Sequence, residues 1–174
     1  MAMNTLHIFD FDDTLVKSDA KVKIKTGSTT NFLSSEEYAS YKEKPGDILD
    51  FSDFDAYPKN PEIIEPVFAE LKAAIALDGP DSVVILTARS NPSPVRLFLE
   101  ANNIAPIHIE AVGSSDPMRK ADYILSRVMS SPEINEVRVF EDNVRNIRTI
   151  QKTVTSTGVK LKTSRVHNGK VQGS

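Results

Sequence analysis

Short apolar runs alternate with longer amphipathic ones along the chain, and the two periods predict strands and helices in turn. "TLHIF" (5–9) reads as a buried strand that stops at three aspartates within four positions. "KVKIKTGSTTNFL" (21–33) alternates charge and apolar groups before meeting Gly27, which predicts a short hairpin or flap. "SSEEYASYKE" (34–43) predicts a short helix capped by Ser34 or Ser35, and the Pro- and Gly-punctuated stretch 44–61 predicts turns. From Pro61 the pattern becomes regular. "PEIIEPVFAELKAAIALDG" predicts a helix opening at Pro61 and stopping before Gly79. "DSVVILT" is a continuous apolar run, as expected of a strand covered on both faces. Then "SPVRLFLEANN" predicts a helix, "IHIEAV" a strand, "DPMRKADYILSRVM" a helix, "EVRVF" a strand, "NVRNIRTIQKTV" a helix and "GVKLKTSRV" a last strand.

Strands alternating with helices imply right-handed crossovers and a mostly parallel sheet. The expected fold is a single α/β domain over residues 1–174, doubly wound and Rossmann-like, with a flap and small insert at about residues 16–60. That insert is too short for a large, independently folded cap, so an open site is expected.

Composition narrows the setting. The 174 residues include no cysteine, which removes disulfides and thiolate metal sites. Runs such as "SVVIL" and "IAPIHI" are too short to span a bilayer, and the first residues lack a secretory pattern, so no membrane partner and a cytoplasmic protein are expected. The net charge of −3 is unevenly spread. Between Glu36 and Asp81 there are 12 acids against 4 bases, whereas the stretch from Asn143 onward has 7 bases and no acid. A basic tail could face phosphates, and a solvated surface explains it about as well.

In a parallel sheet ligands bind outside the carboxyl ends of the strands. Three of the expected strands end there in polar groups: Asp10, Thr87, and the pair Glu141 and Asp142. Repulsion among neighbouring acids is costly, and a hard cation would offset it. Magnesium takes oxygen ligands and keeps waters, so Asp10 and Asp142 suffice as candidate ligands. With a phosphate neutralised there, Asp10 could attack phosphorus, leaving Asp12 for proton transfer. Asp13 reads as a turn residue, Thr14 as a turn hydrogen-bonder, and Ser114 and Ser115 as helix caps. Arg89 reads equally as a substrate contact or a structural residue. By strand parity His7 should face away from Asp10.

"IFDFDDTL" resembles the first motif of the haloacid dehalogenase superfamily, an apolar strand followed by Asp-x-Asp-x-Thr. "VVILT" resembles its second motif, Lys120 stands where the third motif's lysine is expected, and "VRVFEDN" resembles the acidic fourth. The four occur in order from about Leu6 to Val166, and "LTAR" is similar to small phage and bacterial phosphatase-like members with a minimal cap. The resemblance implies a magnesium-dependent phosphatase in which Asp10 forms an aspartyl-phosphate and Asp12 serves as general acid and base. It further implies that the Asp12 backbone carbonyl binds magnesium, Thr87 hydrogen-bonds the phosphoryl group, Lys120 neutralises charge and Asp142 completes the metal site. Glu141 stands where an aspartate is common, as a direct or water-mediated ligand.

The implied substrate is a small phosphorylated molecule or nucleotide. One alternative is the 3′ or 5′ phosphorylated end of a nucleic acid, held by Lys160, Lys162 and Arg165. A second is a magnesium-binding interaction protein without turnover.

Overall fold

The computed structural model describes residues 4–172. Its elements run β1 (Asn4–Phe9), β2 (Val16–Lys17), β3 (Lys21–Thr26), β4 (Thr29–Ser34), α1 (Ser35–Ala39), β5 (Ile48–Asp50), β6 (Glu62–Ile63) and α2 (Glu65–Asp78). They continue with β7 (Val83–Thr87), α3 (Ser93–Ala101), β8 (His108–Ala111), α4 (Pro117–Ser130), β9 (Ile134–Glu141), α5 (Val144–Val154), β10 (Lys160–His167) and β11 (Lys170–Gln172). The fold is α/β. Six strands form one sheet in the order β11-β10-β9-β1-β7-β8, parallel except for β11.

Strand parity divides the core in two. Leu6, Ile8, Val84 and Leu86 pack with Ala121 and Ile124 of α4 and Ile150 and Val154 of α5. Phe9, Val83 and Ile85 pack instead with Val67, Phe68 and Leu71 of α2 and Val95 and Phe98 of α3. Every residue of β7 is buried, which explains why its sequence is apolar without alternation. Each large side chain buried this way contributes about 1.5–3 kcal/mol.

One pair matters for what lies above it. Phe9 and Phe140 are register partners on β1 and β9, and their rings stack 4.9 Å apart at 2°. The Asp10 N–H donates to the Phe140 carbonyl at 3.0 Å, so the chains leave the sheet side by side, with Asp10 beside Glu141.

Three expectations change. The helix after the turn-rich stretch opens at Glu65, not Pro61, because Glu62–Ile63 pairs antiparallel with Val16–Lys17 and Pro66 takes the first turn. The chain does not end its sheet with one last strand: Asn168 and Gly169, both at positive φ, turn it back into the antiparallel β11. The sheet is therefore mixed. Finally, Asp116 caps α4 by accepting from the Met118 N–H, while Ser114 merely accepts from the Asp116 N–H.

Residues 18–57 form the insert. Its sheet has the order β4-β3-β5, with a two-residue turn at Gly27 and Ser28 where Gly27 supplies φ +62°. Val22 and Ile24 face a small core with Ala20 and Phe54, and Leu33, Tyr38, Tyr41 and Leu49 pack around it. Ser34 and Glu37 close a capping box on α1.

Candidate active site

A cavity of about 930 Å³ opens at the carboxyl ends of β1, β7 and β9. Its floor is acidic. Asp10, Glu141 and Asp142 each bring a carboxylate oxygen within 4.8 Å of the others. Lys120, 3% exposed on the first turns of α4, reaches up through this floor. Its ammonium donates to Asp10 Oδ1 at 2.9 Å and to Glu141 Oε1 at 2.7 Å. The Thr14 hydroxyl lies 2.9 Å from Asp10 Oδ2 and 3.3 Å from Asp142 Oδ1, and bridges them. Thr14 thus serves the acids, beyond the turn role expected of it.

Glu141 is the most saturated of the three acids. Besides Lys120 it accepts from the Asn146 side chain at 3.2 Å and from the Asn143 N–H at 3.0 Å. Three of about four acceptor positions are filled. Asp10 and Asp142 are less served, and their protonation follows. Burial raises the Asp10 carboxyl above its ordinary value, the Glu141 charge adds to this, and Lys120 only partly opposes it. Burial, then the charges of Asp10 and Glu141, hold Asp142 well above its ordinary value. Burial would raise Glu141 too, but Lys120 and its hydrogen-bond donors keep it below. For Lys120, burial would depress the ammonium, and the two carboxylates outweigh that and raise it.

The other side of the cavity belongs to Arg89. Its Nε and Nη2 each donate at 2.9 Å to the two oxygens of Asp12, a bidentate pair. Its Nη1 donates to the carbonyls of Phe54 at 2.8 Å and Ala56 at 3.2 Å, and the guanidinium lies 5.3 Å from the ring centroids of Phe11 and Phe54. Arg89 therefore ties Asp12 to the insert. Asp13 makes a second tie, with its carboxylate accepting from the Ser35 hydroxyl at the start of α1. It sits at φ +63°, a conformation aspartate tolerates, and burial, opposed by Ser35 and assisted by the Asp12 and Asp10 charges, pushes its carboxyl up to about 6.

Asp10, Asp12, Lys120, Glu141 and Asp142 all line one cavity. Thr87 is 1% exposed and lies beneath the wall, its hydroxyl oxygen accepting from the Arg89 N–H at 3.1 Å. These ties hold the insert beside the cavity, where Tyr38 and Phe51 form part of its lining. His7 pairs with Asp78 of α2, on the sheet face away from the acids. The signals for Thr14 and Arg89 were present in "DDTL" and "LTAR"; Asp142 for Thr14, and Asp12, Phe54 and Ala56 for Arg89, are partners far along the chain.

No known family model matches the chain, and no curated protein and no solved structure matches it. No helix among the described residues is long and apolar enough to cross a membrane.

Proposed function

We propose that the chain is a magnesium-dependent phosphomonoesterase of the haloacid dehalogenase superfamily, a cytoplasmic enzyme on a doubly wound, Rossmann-like sheet. The observation that carries the reading is the charge of the cavity floor. Asp10, Glu141 and Asp142 bring three formal negative charges and Lys120 one positive, leaving two to be matched. The donors are all carboxylate oxygens, which suits a hard dication. Asp10 and Asp142 would hold it, with Glu141 behind them.

A bound magnesium ion would neutralise the phosphoryl oxygens. Lys120 and Thr14 hold the two Asp10 oxygens, so the carboxylate is aimed rather than free to rotate. An Asp10 oxygen attacks phosphorus, the bond to the leaving alcohol breaks, and Asp12 gives that oxygen its proton. In the second step Asp12 takes a proton from water as the water oxygen attacks phosphorus. The Asp10–phosphorus bond breaks, releasing phosphate and restoring the carboxylate. Arg89 holds Asp12 as a carboxylate in the structure, so Asp12 must release one oxygen from that pair and take up a proton before the first transfer.

The alternative of nucleic-acid ends has less support. Lys160 pairs with Glu136 at 3.5 Å, and lies five residues before Arg165, the register partner of Glu141. At ~3.3 Å per residue that is about 16 Å from the acidic rim.

Hydrolysis of phenyl phosphate, followed with magnesium and with a chelator, tests the reading. Turnover should require the ion, and Asp10→Asn should lower it at least ~10⁴-fold, since an amide does not form the acyl phosphate. Near-normal turnover by Asp10→Asn would overturn the covalent route. Magnesium binding without hydrolysis of any phosphomonoester would favour the interaction protein.

A further inference from the structure

The cavity is far larger than a phosphoryl group, and its two ends differ in chemistry. At about 930 Å³ it falls within the ~300–1,000 Å³ of pockets that enclose a whole organic ligand. One end is the acid and lysine floor. The other is built by the insert, where Tyr38 and Phe51 meet edge to face at 5.3 Å and 78°. Tyr38 packs against the insert's own core, but Phe51 does not. That core buries Ala20, Val22, Ile24 and Phe54, while Phe51 stands outside it and keeps 41% of its surface exposed. An exposed aromatic in a concave site gains most from a partner ring, which aromatic faces and edges attract at centroid separations of ~4.5–7 Å. Polar groups line the cavity as well: Lys42 of the insert, Ser114 and Ser115, and Asn143 and Arg145 just after the acids.

We infer that the insert end of this cavity is a subsite for the planar base of a nucleoside monophosphate, whose phosphate is the group attacked at Asp10. The inference rests on the phosphomonoesterase reading and names its substrate class. Phe51 and Tyr38 supply ring contact. Ser114, Ser115, Lys42 and Asn143 supply hydrogen bonds to the sugar and base edge, groups that a small aryl leaving group would leave unmatched. Arg145 and Lys42 supply positive charge toward an incoming phosphate. Specificity therefore lies in the insert, while bond cleavage lies at the strand ends.

Binding and turnover separate this inference from the reading beneath it. Calorimetry on the Asp10→Asn protein with magnesium would compare adenosine monophosphate, phenyl phosphate and glycerol phosphate. Adenosine monophosphate should bind at least tenfold more tightly than either of the others. Phe51→Ala should remove most of that preference, as loss of one stacked ring does, and Phe51→Trp should keep it, which sets ring contact apart from misfolding. Equal affinity for adenosine monophosphate and glycerol phosphate overturns the ring subsite. Phenyl phosphate bound as tightly as adenosine monophosphate overturns the nucleoside assignment. Wild-type protein that binds adenosine monophosphate preferentially and hydrolyses none of the three supports the subsite and overturns the phosphomonoesterase reading.

Discussion

On the sheet side of the cavity, Asp10 and Glu141 share the single ammonium of Lys120, and Asp142 beside them meets the Thr14 hydroxyl. On the insert side, Asp12 has both oxygens matched by Arg89, and Asp13 is bonded to Ser35. Both sides are acidic in sequence, and Asp10 of the first stands two and three residues from Asp12 and Asp13 of the second. They differ in balance. On the first side one ammonium stands against three carboxyls, and burial and mutual repulsion raise Asp10 and Asp142 toward the protonated form. On the second, Arg89 closes an ion pair with Asp12, while Asp13 meets only the Ser35 hydroxyl and has its carboxyl pushed up to about 6; these bonds tie a side chain and the insert in place. Acidic clustering alone does not mark a cation site.

The strongest way to break this comparison is to remove the one cation of the sheet side. Lys120→Met leaves two buried carboxylates without their shared partner, a change that costs about 3–5 kcal/mol for buried ion pairs. Urea unfolding in chelator should show that loss, and magnesium should restore part of it. A loss under ~1 kcal/mol would mean that the acids are already neutral, and that no dication is called for.

The insert side answers to Arg89. Arg89→Ala removes both bonds to Asp12 and the bonds to Phe54 and Ala56. Stability should fall by roughly 2–3 kcal/mol, the scale of hydrogen bonds to charged groups. The kcat should fall about 100-fold, because Asp12 loses its fixed position. Limited proteolysis should cut the insert sooner than in the wild type. Unchanged kcat would separate Arg89 from Asp12 and leave it a purely structural tie.

A third, smaller effect sharpens the sheet side through pH. Asp10 and Asp142 are raised above the ordinary aspartate value of 3.8, by burial first and neighbouring charge second. A raised carboxyl binds its proton more tightly in the folded chain than in the unfolded one. Metal-free stability should therefore fall as pH climbs from the ordinary value through the raised ones, and level off above them. Magnesium binds the ionised groups, so it should raise the melting temperature more at pH 8 than at pH 5. Asp142→Asn in chelator at pH 8 should melt about 2–4 °C higher than the wild type, the shift that ~1 kcal/mol makes in a chain of this size. It should also lose most of the magnesium response. A metal-free protein that melts equally across this range would contradict the unmatched charge.

The smallest effect is expected furthest away. Lys160→Ala with Lys162→Ala should change turnover of phenyl phosphate and of a phosphorylated oligonucleotide by less than twofold. Both lysines precede the rim on β10, and Lys160 already has Glu136. A salt-sensitive loss confined to the oligonucleotide would return nucleic-acid ends to first place.

Much of this arrangement was legible in the chain. The apolar run ending in "FDFDD", the strand "VVILT" and the pair after "VRVF" identified three of the strands and the groups at their ends, because strand period and strand termination are local properties. Lys120 needed the order of motifs as well, since one lysine on a helix carries no signal of its own. Arg89 was equally ambiguous, and the reason is physical: its four bonds go to Asp12, Phe54 and Ala56, all more than thirty positions away. The hairpin into β11 was locally encoded in "NG", Asn168 and Gly169. Pro61 misled because a proline that suits a helix start also suits the end of a turn, and pairing with Val16 and Lys17 decided between them.

By itself the sequence determined an α/β chain of alternating strands and helices, an acid-rich first strand end, and the absence of any thiol chemistry. Those follow from periodicity, composition and short-range backbone preference. Only the tertiary structure decided which acids meet a cation, because that depends on Lys120, in the first turns of α4, and Arg89, just beyond β7, reaching their partners. It also decided that the insert walls the site and brings Phe51 and Tyr38 into the same cavity as Asp10. Desolvation and ion pairing act through distance in space, and neither can be summed until the chain has closed on itself.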